Sequence, residues 1–245
     1  MKIALASAPV MEKAIGQNVR VILQNMEQCR GKADLVVFGE SVLQGFNSLS
    51  WEYETDCRMA VPRTDETIMQ VRRSAVENRI AVSFGYLEKD GESIFSSQIV
   101  IDEMGEVIHN FHRVSIGWKD YCRTDEHYRE GEHFQVFSYK GKQFAIGLCG
   151  DLWTDGRPEE MRRLKADIIL WPVWCDYDAE EWNKKIKYEY ARQAALCGKT
   201  VLLVNPFDVC DGMIEHAAGG AIYFKEGSIA AENPAGDSGI IIIEV

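Results

Sequence analysis

Phe144-Ala145-Ile146-Gly147-Leu148-Cys149-Gly150-Asp151-Leu152-Trp153 is the stretch on which the reading of this chain turns. Apolar residues and one glycine run into a single cysteine. The chain then changes character, through Thr154, Asp155 and Gly156 to Arg157 and Pro158. An apolar run closed by turn residues reads as a buried strand that ends in a loop and leads into a helix. A thiol at such a strand end is held by the sheet and still faces a crevice, so Cys149 is the candidate nucleophile. The bland reading is a structural thiol, the commoner fate of a cysteine in an apolar strand.

Outward from this stretch, short apolar runs alternate with segments of helical period. Strands read over residues 2–8, 34–38, 80–86, 167–173 and 201–205. Val19, Ile22, Leu23, Met26 and Cys29 recur at three- and four-residue steps, which predicts a helix over 15–30 that stops at Gly31. Further helices read over 65–78, capped by Thr64, over 158–165 with Pro158 near its first position, and over 179–196. Hairpins read over 93–101 with 107–112, over 134–139 with 143–149, and over 219–224 with 228–232. A last β run covers 239–245. Residues 44–55 read as a loop. Residues 113–131 are polar, aromatic and irregular, too long for an idle connection, which suggests a binding loop. The pattern is α/β with a mixed sheet or sheets, and no linker, repeat or low-complexity tract divides it, so one domain over 1–245 is expected.

Lys plus Arg number 27 against 38 Asp plus Glu, a formal net charge of −11. With no basic cluster in the sequence, nucleic acid and anionic membranes are poor partners. No apolar run approaches the roughly 20 residues of a membrane span, and the first residues read as a strand instead of a signal segment. The seven cysteines are odd in number and scattered, without a CxxC pair. A disulfide framework or zinc site is not expected, and a reducing cytoplasm is.

Two more strand ends carry chemistry. Glu40 follows Leu35-Val36-Val37-Phe38-Gly39, and Arg113 follows the 107–112 run. If the three strands lie side by side in one sheet, their ends line one crevice. A free thiol has a pKa of about 8.5 and is mostly protonated at neutral pH. A carboxylate such as Glu40 is placed to take its proton, and a fixed cation to stabilise a developing oxyanion. Taken singly, a Glu past a strand is usually a solvated loop residue, and an Arg there a surface pair.

The order of these motifs resembles the nitrilase superfamily, the carbon–nitrogen hydrolases, from residue 1 to about 233. Leu35-Val36-Val37-Phe38-Gly39-Glu40 is similar to the family's strand ending in its general-base Glu. Gly147-Leu148-Cys149-Gly150-Asp151-Leu152-Trp153 is similar to the segment around its nucleophilic Cys, where an aromatic commonly precedes the Asp. Ala191-Arg192-Gln193-Ala194, the strand at 201–205, and Gly219-Gly220-Ala221 are similar to its later elements, with Ala221 where a Ser is usual. The resemblance implies a four-layer α-β-β-α sandwich, a Cys–Glu–Lys triad and hydrolysis of a nonpeptide C–N bond, through a thioester where the substrate is an amide. Amides are its commonest substrates. It implies no metal or organic cofactor, and a homodimer or higher homo-oligomer in which helices 158–165 and 179–196 are candidate interface elements.

The chain departs from the family at the lysine. The pattern aromatic-Arg-Lys-apolar-His-apolar falls on Phe111-His112-Arg113-Val114-Ser115-Ile116, which puts Arg113 in the lysine position. Arginine keeps the charge but is forked and effectively never deprotonated. Lys119 lies six residues on as a substitute cation. A second Glu of many members falls on Thr124, beside Asp125 and Glu126, and a shifted loop would bring Glu126 into the site. Tyr121, Tyr128, Trp153 and Trp174 are candidate pocket aromatics. His112, His127, His133 and His216 offer no spacing that favours a Cys–His pair. Two functions remain open: an amidase-type hydrolase, or a catalytically impaired protein of the same fold that binds a small amide or acid without turnover.

Overall fold

A computed structural model describes residues 1–210 and 213–245, with side chains outside 209–216. His216 therefore lies outside the described side chains. In chain order the elements are β1 (Lys2–Ser7), β2 (Pro9–Val10), α1 (Ile15–Cys29), β3 (Leu35–Val37), α2 (Tyr53–Asp56), α3 (Glu66–Asn78), β4 (Ala81–Asp90), β5 (Ser93–Ile101) and β6 (Val107–His112). There follow β7 (Val136–Tyr139), β8 (Lys142–Ile146), a 3₁₀ turn (Cys149–Trp153), α4 (Arg157–Arg163) and β9 (Ile168–Pro172). The chain continues with α5 (Ala179–Glu181), a π-helical segment (Trp182–Ile186), α6 (Lys187–Leu196) and β10 (Thr200–Val204). It closes with β11 (Phe207–Cys210), β12 (Met213–Ala218), β13 (Ala221–Lys225), β14 (Ser228–Asn233) and β15 (Gly239–Glu244).

The apolar runs are apolar on both faces because both faces are covered. In β1 and β3, Ile3, Leu5, Leu35 and Val37 share a core with Phe144, Ile146, Leu170 and Leu202 of the second sheet. Their neighbours Ala4, Val36 and Phe38 point the other way, into a core with Val19, Ile22 and Met26 of α1 and Ile68, Val71 and Ala75 of α3. One sheet runs β15-β1-β3-β4-β5-β6 and the other β14-β13-β10-β9-β8-β7. The parallel pairs β1–β3–β4 and β8–β9–β10 lie at the centres. Helices α4 and α6 add Met161, Tyr190, Ala191 and Ala194 to the core of the second sheet. The layering is the four-layer α-β-β-α sandwich.

Several local expectations change. Asp65, not Thr64, caps α3, its side chain accepting from the Thr67 N–H. The stretch 44–55 holds the start of α2. The helix expected over 179–196 is interrupted by the π segment, and Trp182, Ile186 and Tyr190 along it are all buried. A small sheet of order β12-β11-β2 has no counterpart in the sequence reading; β2 has only two residues, too few to carry a periodicity.

Candidate active site

The three strand ends do not come from one sheet. β3 and β6 belong to the first sheet, separated by β4 and β5, and β8 belongs to the second. The site is made by the sheets facing each other, so Cys149 approaches Glu40 and Arg113 across the sandwich.

Glu40 is completely buried. Its backbone N–H donates to the Val173 carbonyl of the opposite sheet at 3.3 Å, which stitches the two sheets where the site lies. Gly85 of β4 lies against it so closely that an added Cβ would stand 2.7 Å from Glu40 Cα, an approach only glycine permits. Glu40 Oε1 accepts from Arg113 Nη1 at 2.8 Å and from Ser96 Oγ at 3.1 Å. Glu40 Oε2 is buried without a hydrogen-bond partner. A buried carboxylate oxygen left bare costs free energy.

Cys149 opens the 3₁₀ turn with φ of +48°, a left-handed conformation that strains a side-chain-bearing residue. Asp151 closes this turn. Its Oδ2 accepts from Leu148 N–H at 2.9 Å, and its Oδ1 from the N–H groups of Val114 and Ser115 at 3.1 and 2.7 Å. One buried carboxylate thus ties the cysteine's strand end to the loop after Arg113. Trp171 Nε1 donates to the Cys149 carbonyl at 2.9 Å, and the thiol points at the Trp174 carbonyl, 3.6 Å away.

The electrostatics describe a protonated thiol at rest. Burial first, and the Glu40 charge second, push the Cys149 pKa up to about 12, while the Arg113 guanidinium opposes both. Arg113 is itself buried, and the charges of Glu40, Cys149 and Asp151 hold its pKa above the ordinary arginine value against desolvation. Burial raises the Asp151 carboxyl to about 6, opposed by the Arg113 charge and by the hydrogen bonds from Ser115 and Leu148. This electrostatic grouping joins sulfur, carboxylate and guanidinium.

The remaining sequence candidates separate. Trp174 is buried and stacks on Phe46 with centroids 5.6 Å apart. Trp153 is 43% exposed and packs on Tyr190 and Trp171. Tyr121 is exposed, and its hydroxyl donates to Glu130 Oε1. Glu126 is exposed and is not brought to the thiol. The residue of this loop that gathers partners is Glu130, which also accepts from Trp118 Nε1 and from Lys119. Lys119 is engaged there and with the Tyr128 carbonyl, and does not replace Arg113. His112 pairs with Glu88, His127 with Asp125, and His133 lies 3.8 Å from Glu160. Sequence reasoning passed over Ser96, Ser115 and Asp151. Asp151, two residues past the cysteine, is the one with a readable signal, since an acid at the end of an apolar run requires donors.

The model of the carbon-nitrogen hydrolase family matches residues 2–245. The chain belongs to the carbon–nitrogen hydrolase family. Among similar proteins is a glutamine-dependent NAD(+) synthetase of Acinetobacter baylyi, 22% identical over 174 residues, covering 69% of this chain and 30% of the relative. An aliphatic nitrilase of Rhodococcus rhodochrous is 27% identical over 198 residues, covering 73% of this chain and 50% of the relative. The chain thus spans half or less of the length of these two curated relatives. Among solved structures, an amidase from Nesterenkonia sp. AN1 superposes with a TM-score of 0.79 at 18% identity, covering 100% of this chain and 93% of that one. That structure is a glutamate-to-glutamine variant with acrylamide added to its active-site cysteine. The likeness bears on the fold, which it shares.

Among the described residues no helix is long and apolar enough to cross a membrane. No group of three His, Cys, Asp or Glu among them is placed to hold a metal ion.

Proposed function

We propose that this chain hydrolyses the C–N bond of a small amide through a covalent cysteine thioester. Cys149 Sγ attacks the carbonyl carbon as its proton passes to Glu40 Oε2. The oxyanion is met by Arg113 and by the backbone N–H that follows Cys149. The C–N bond breaks as Glu40 returns the proton to the departing amine. Water then attacks the thioester with Glu40 as base, releasing the acid and restoring the thiol, so that amide and water give carboxylic acid and ammonia. The observation that carries this reading is the meeting of Glu40 and Cys149: Oε2 is buried and takes no donor from Arg113 or Ser96, and the carboxylate's charge and its side-chain hydrogen bond with the thiol both raise the sulfur's pKa. A resting thiol beside a bare carboxylate oxygen needs no other base.

The test is ammonia release from a panel of small aliphatic and aromatic amides, ureides and nitriles. Release from an amide, abolished by Cys149→Ala, is the expected result. Binding without release across the panel would favour the second reading, a site silenced by Arg113.

We further place the reaction in the cytoplasm, with one hydrolase domain over 1–245, no cofactor, and a homo-oligomer whose contact face includes α4 and α6. Exposed Tyr188 and Leu196 of α6, with nearby Trp153, support that face. Light scattering of the chain, and of Tyr188→Glu, tests it.

A further inference from the structure

The nitrogens of Arg113 have three different surroundings. Nε donates to Ser115 Oγ at 2.8 Å. Nη1 donates to Glu40 Oε1 at 2.8 Å. Nη2 makes no hydrogen bond to the described residues and lies against Gly150, where an added Cβ would stand 2.6 Å from it. The same Cβ would stand 3.3 Å from Ser115 Oγ. Gly150 is not among the glycines with positive φ, so its backbone conformation does not call for glycine. A side-chain carbon there would have to displace Nη2, and with it a guanidinium that Ser115 and Glu40 anchor through its other two nitrogens. Ser115 is in turn placed by Asp151, which accepts its N–H at 2.7 Å and also closes the turn carrying Cys149.

These contacts link three departures from the family pattern: arginine for lysine at 113, serine for histidine at 115, and glycine for an aromatic at 150. A larger side chain at 150 would enter the space of Nη2, and one at 115 would replace the hydroxyl that anchors Nε. We propose that Ser115 and Gly150 form a socket cut for a guanidinium, positioning Arg113 with Nη2 bare beside the residue that follows the nucleophile. Arginine is then the fitted occupant of this site, and lysine, with neither a fork nor an Nε donor, is a misfit. Ser115 and Gly150 are positioning residues. Their catalytic meaning rests on the proposed amide hydrolysis; their geometry does not.

The test is a double-mutant cycle on the full chain with two readouts: amide turnover, and the rate of Cys149 alkylation by iodoacetamide at pH 9, followed on the Cys149 peptide. The guanidinium charge holds the thiol pKa down, so displacing it slows alkylation. Gly150→Ala is expected to lower kcat by ~10-fold or more with KM nearly unchanged, since small displacements of a reacting group carry losses of that order. It also slows alkylation. Arg113→Lys alone is expected to lose activity. The double variant Arg113→Lys with Gly150→Ala is expected to be no worse than Arg113→Lys, because lysine has no Nη2 to meet the new Cβ. Wild-type alkylation in Gly150→Ala, losses that simply multiply in the double variant, or a gain of activity in Arg113→Lys would each overturn the socket. Should Gly150→Ala not fold, Ser115→Ala, which removes one oxygen, is expected to slow alkylation, and unchanged alkylation there overturns the proposal. If the wild type releases ammonia from no substrate, amide hydrolysis falls while the alkylation cycle still decides the socket.

Discussion

Glu40 and Glu88 are two completely buried glutamates of the same sheet, each with an arginine partner. Glu88 gathers four side chains, although its Oε1, like Glu40 Oε2, accepts no well-aligned hydrogen bond. Oε2 accepts from Ser97 Oγ at 2.8 Å, Asn110 Nδ2 at 2.7 Å and His112 Nε2 at 2.8 Å, and Oε1 pairs with Arg63 Nε at 3.0 Å. Around Glu40 the protein's donors gather on Oε1, and the Cys149 thiol is its further side-chain partner. The two clusters are chain neighbours, since Ser96 and Arg113 serve Glu40 while Ser97 and His112 serve Glu88. Alternation along β5 and at the end of β6 sends successive residues to opposite faces. Glu88 ties side chains of its own sheet together, whereas Glu40 faces the thiol of the segment that leaves the opposite sheet.

The largest expected effect breaks the Glu40 side. Glu40→Gln should lower amide turnover by about 10²–10⁴-fold, the usual contribution of a general base. Because the Glu40 charge raises the thiol pKa, the same change should speed alkylation of Cys149 at neutral pH. Slower alkylation would mean that Glu40 activates the resting thiol by some other route.

Glu88→Gln should do the reverse, costing about 1–3 kcal/mol in urea unfolding through lost charged hydrogen bonds while leaving most turnover. The pH dependence sharpens this. Burial raises the Glu88 pKa, but hydrogen bonds from His112, Asn110 and Ser97 outweigh it and hold it below its ordinary 4.5. A carboxyl with a depressed folded pKa contributes stability above its unfolded pKa and loses it as pH falls through the folded one. The acid loss of stability below about pH 4.5 should therefore be shallower in Glu88→Gln than in wild type. Equal slopes would show that Glu88 contributes nothing to it.

Asp151→Asn tests the tie between the halves of the site. An amide cannot accept at both ends, so either Leu148 N–H or the Val114 and Ser115 pair loses its partner. About 1–3 kcal/mol of stability should go together with turnover. Full activity would remove Asp151 from the positioning of Cys149. The smallest effect is expected from Arg63→Ala. Its own side chain is 48% exposed, but its partner Glu88 is completely buried and would lose the ion pair at Oε1, so about 1 kcal/mol is expected, with activity unchanged.

Much of the fold was legible in the chain. β5 and β6 fall where their alternating runs and the Gly105 turn place them, and α1 where its apolar period does. The breaks came where local rules compete. Asp65 takes the cap in place of Thr64, and a π segment interrupts the helix at Trp182–Ile186, which no apolar period marks. Within the site, Cys149, Glu40 and Arg113 were readable as polar residues ending apolar runs. Glu126 was singled out for its place beside Thr124, and nothing local shows that Trp118, Lys119 and Tyr121 converge on Glu130 instead.

The sequence by itself determined that Cys149 ends a strand, that a carboxylate and a cation end two others, and that the cation is an arginine. Those are properties of single segments, set by apolar runs and the residues that close them. Only the tertiary structure decided that the ends meet across two sheets instead of along one, that Glu40 Oε2 is left bare, and that Gly150 makes room for Nη2. Each depends on atoms more than thirty residues apart in the chain, brought together by the packing of two sheets whose apolar faces exclude water.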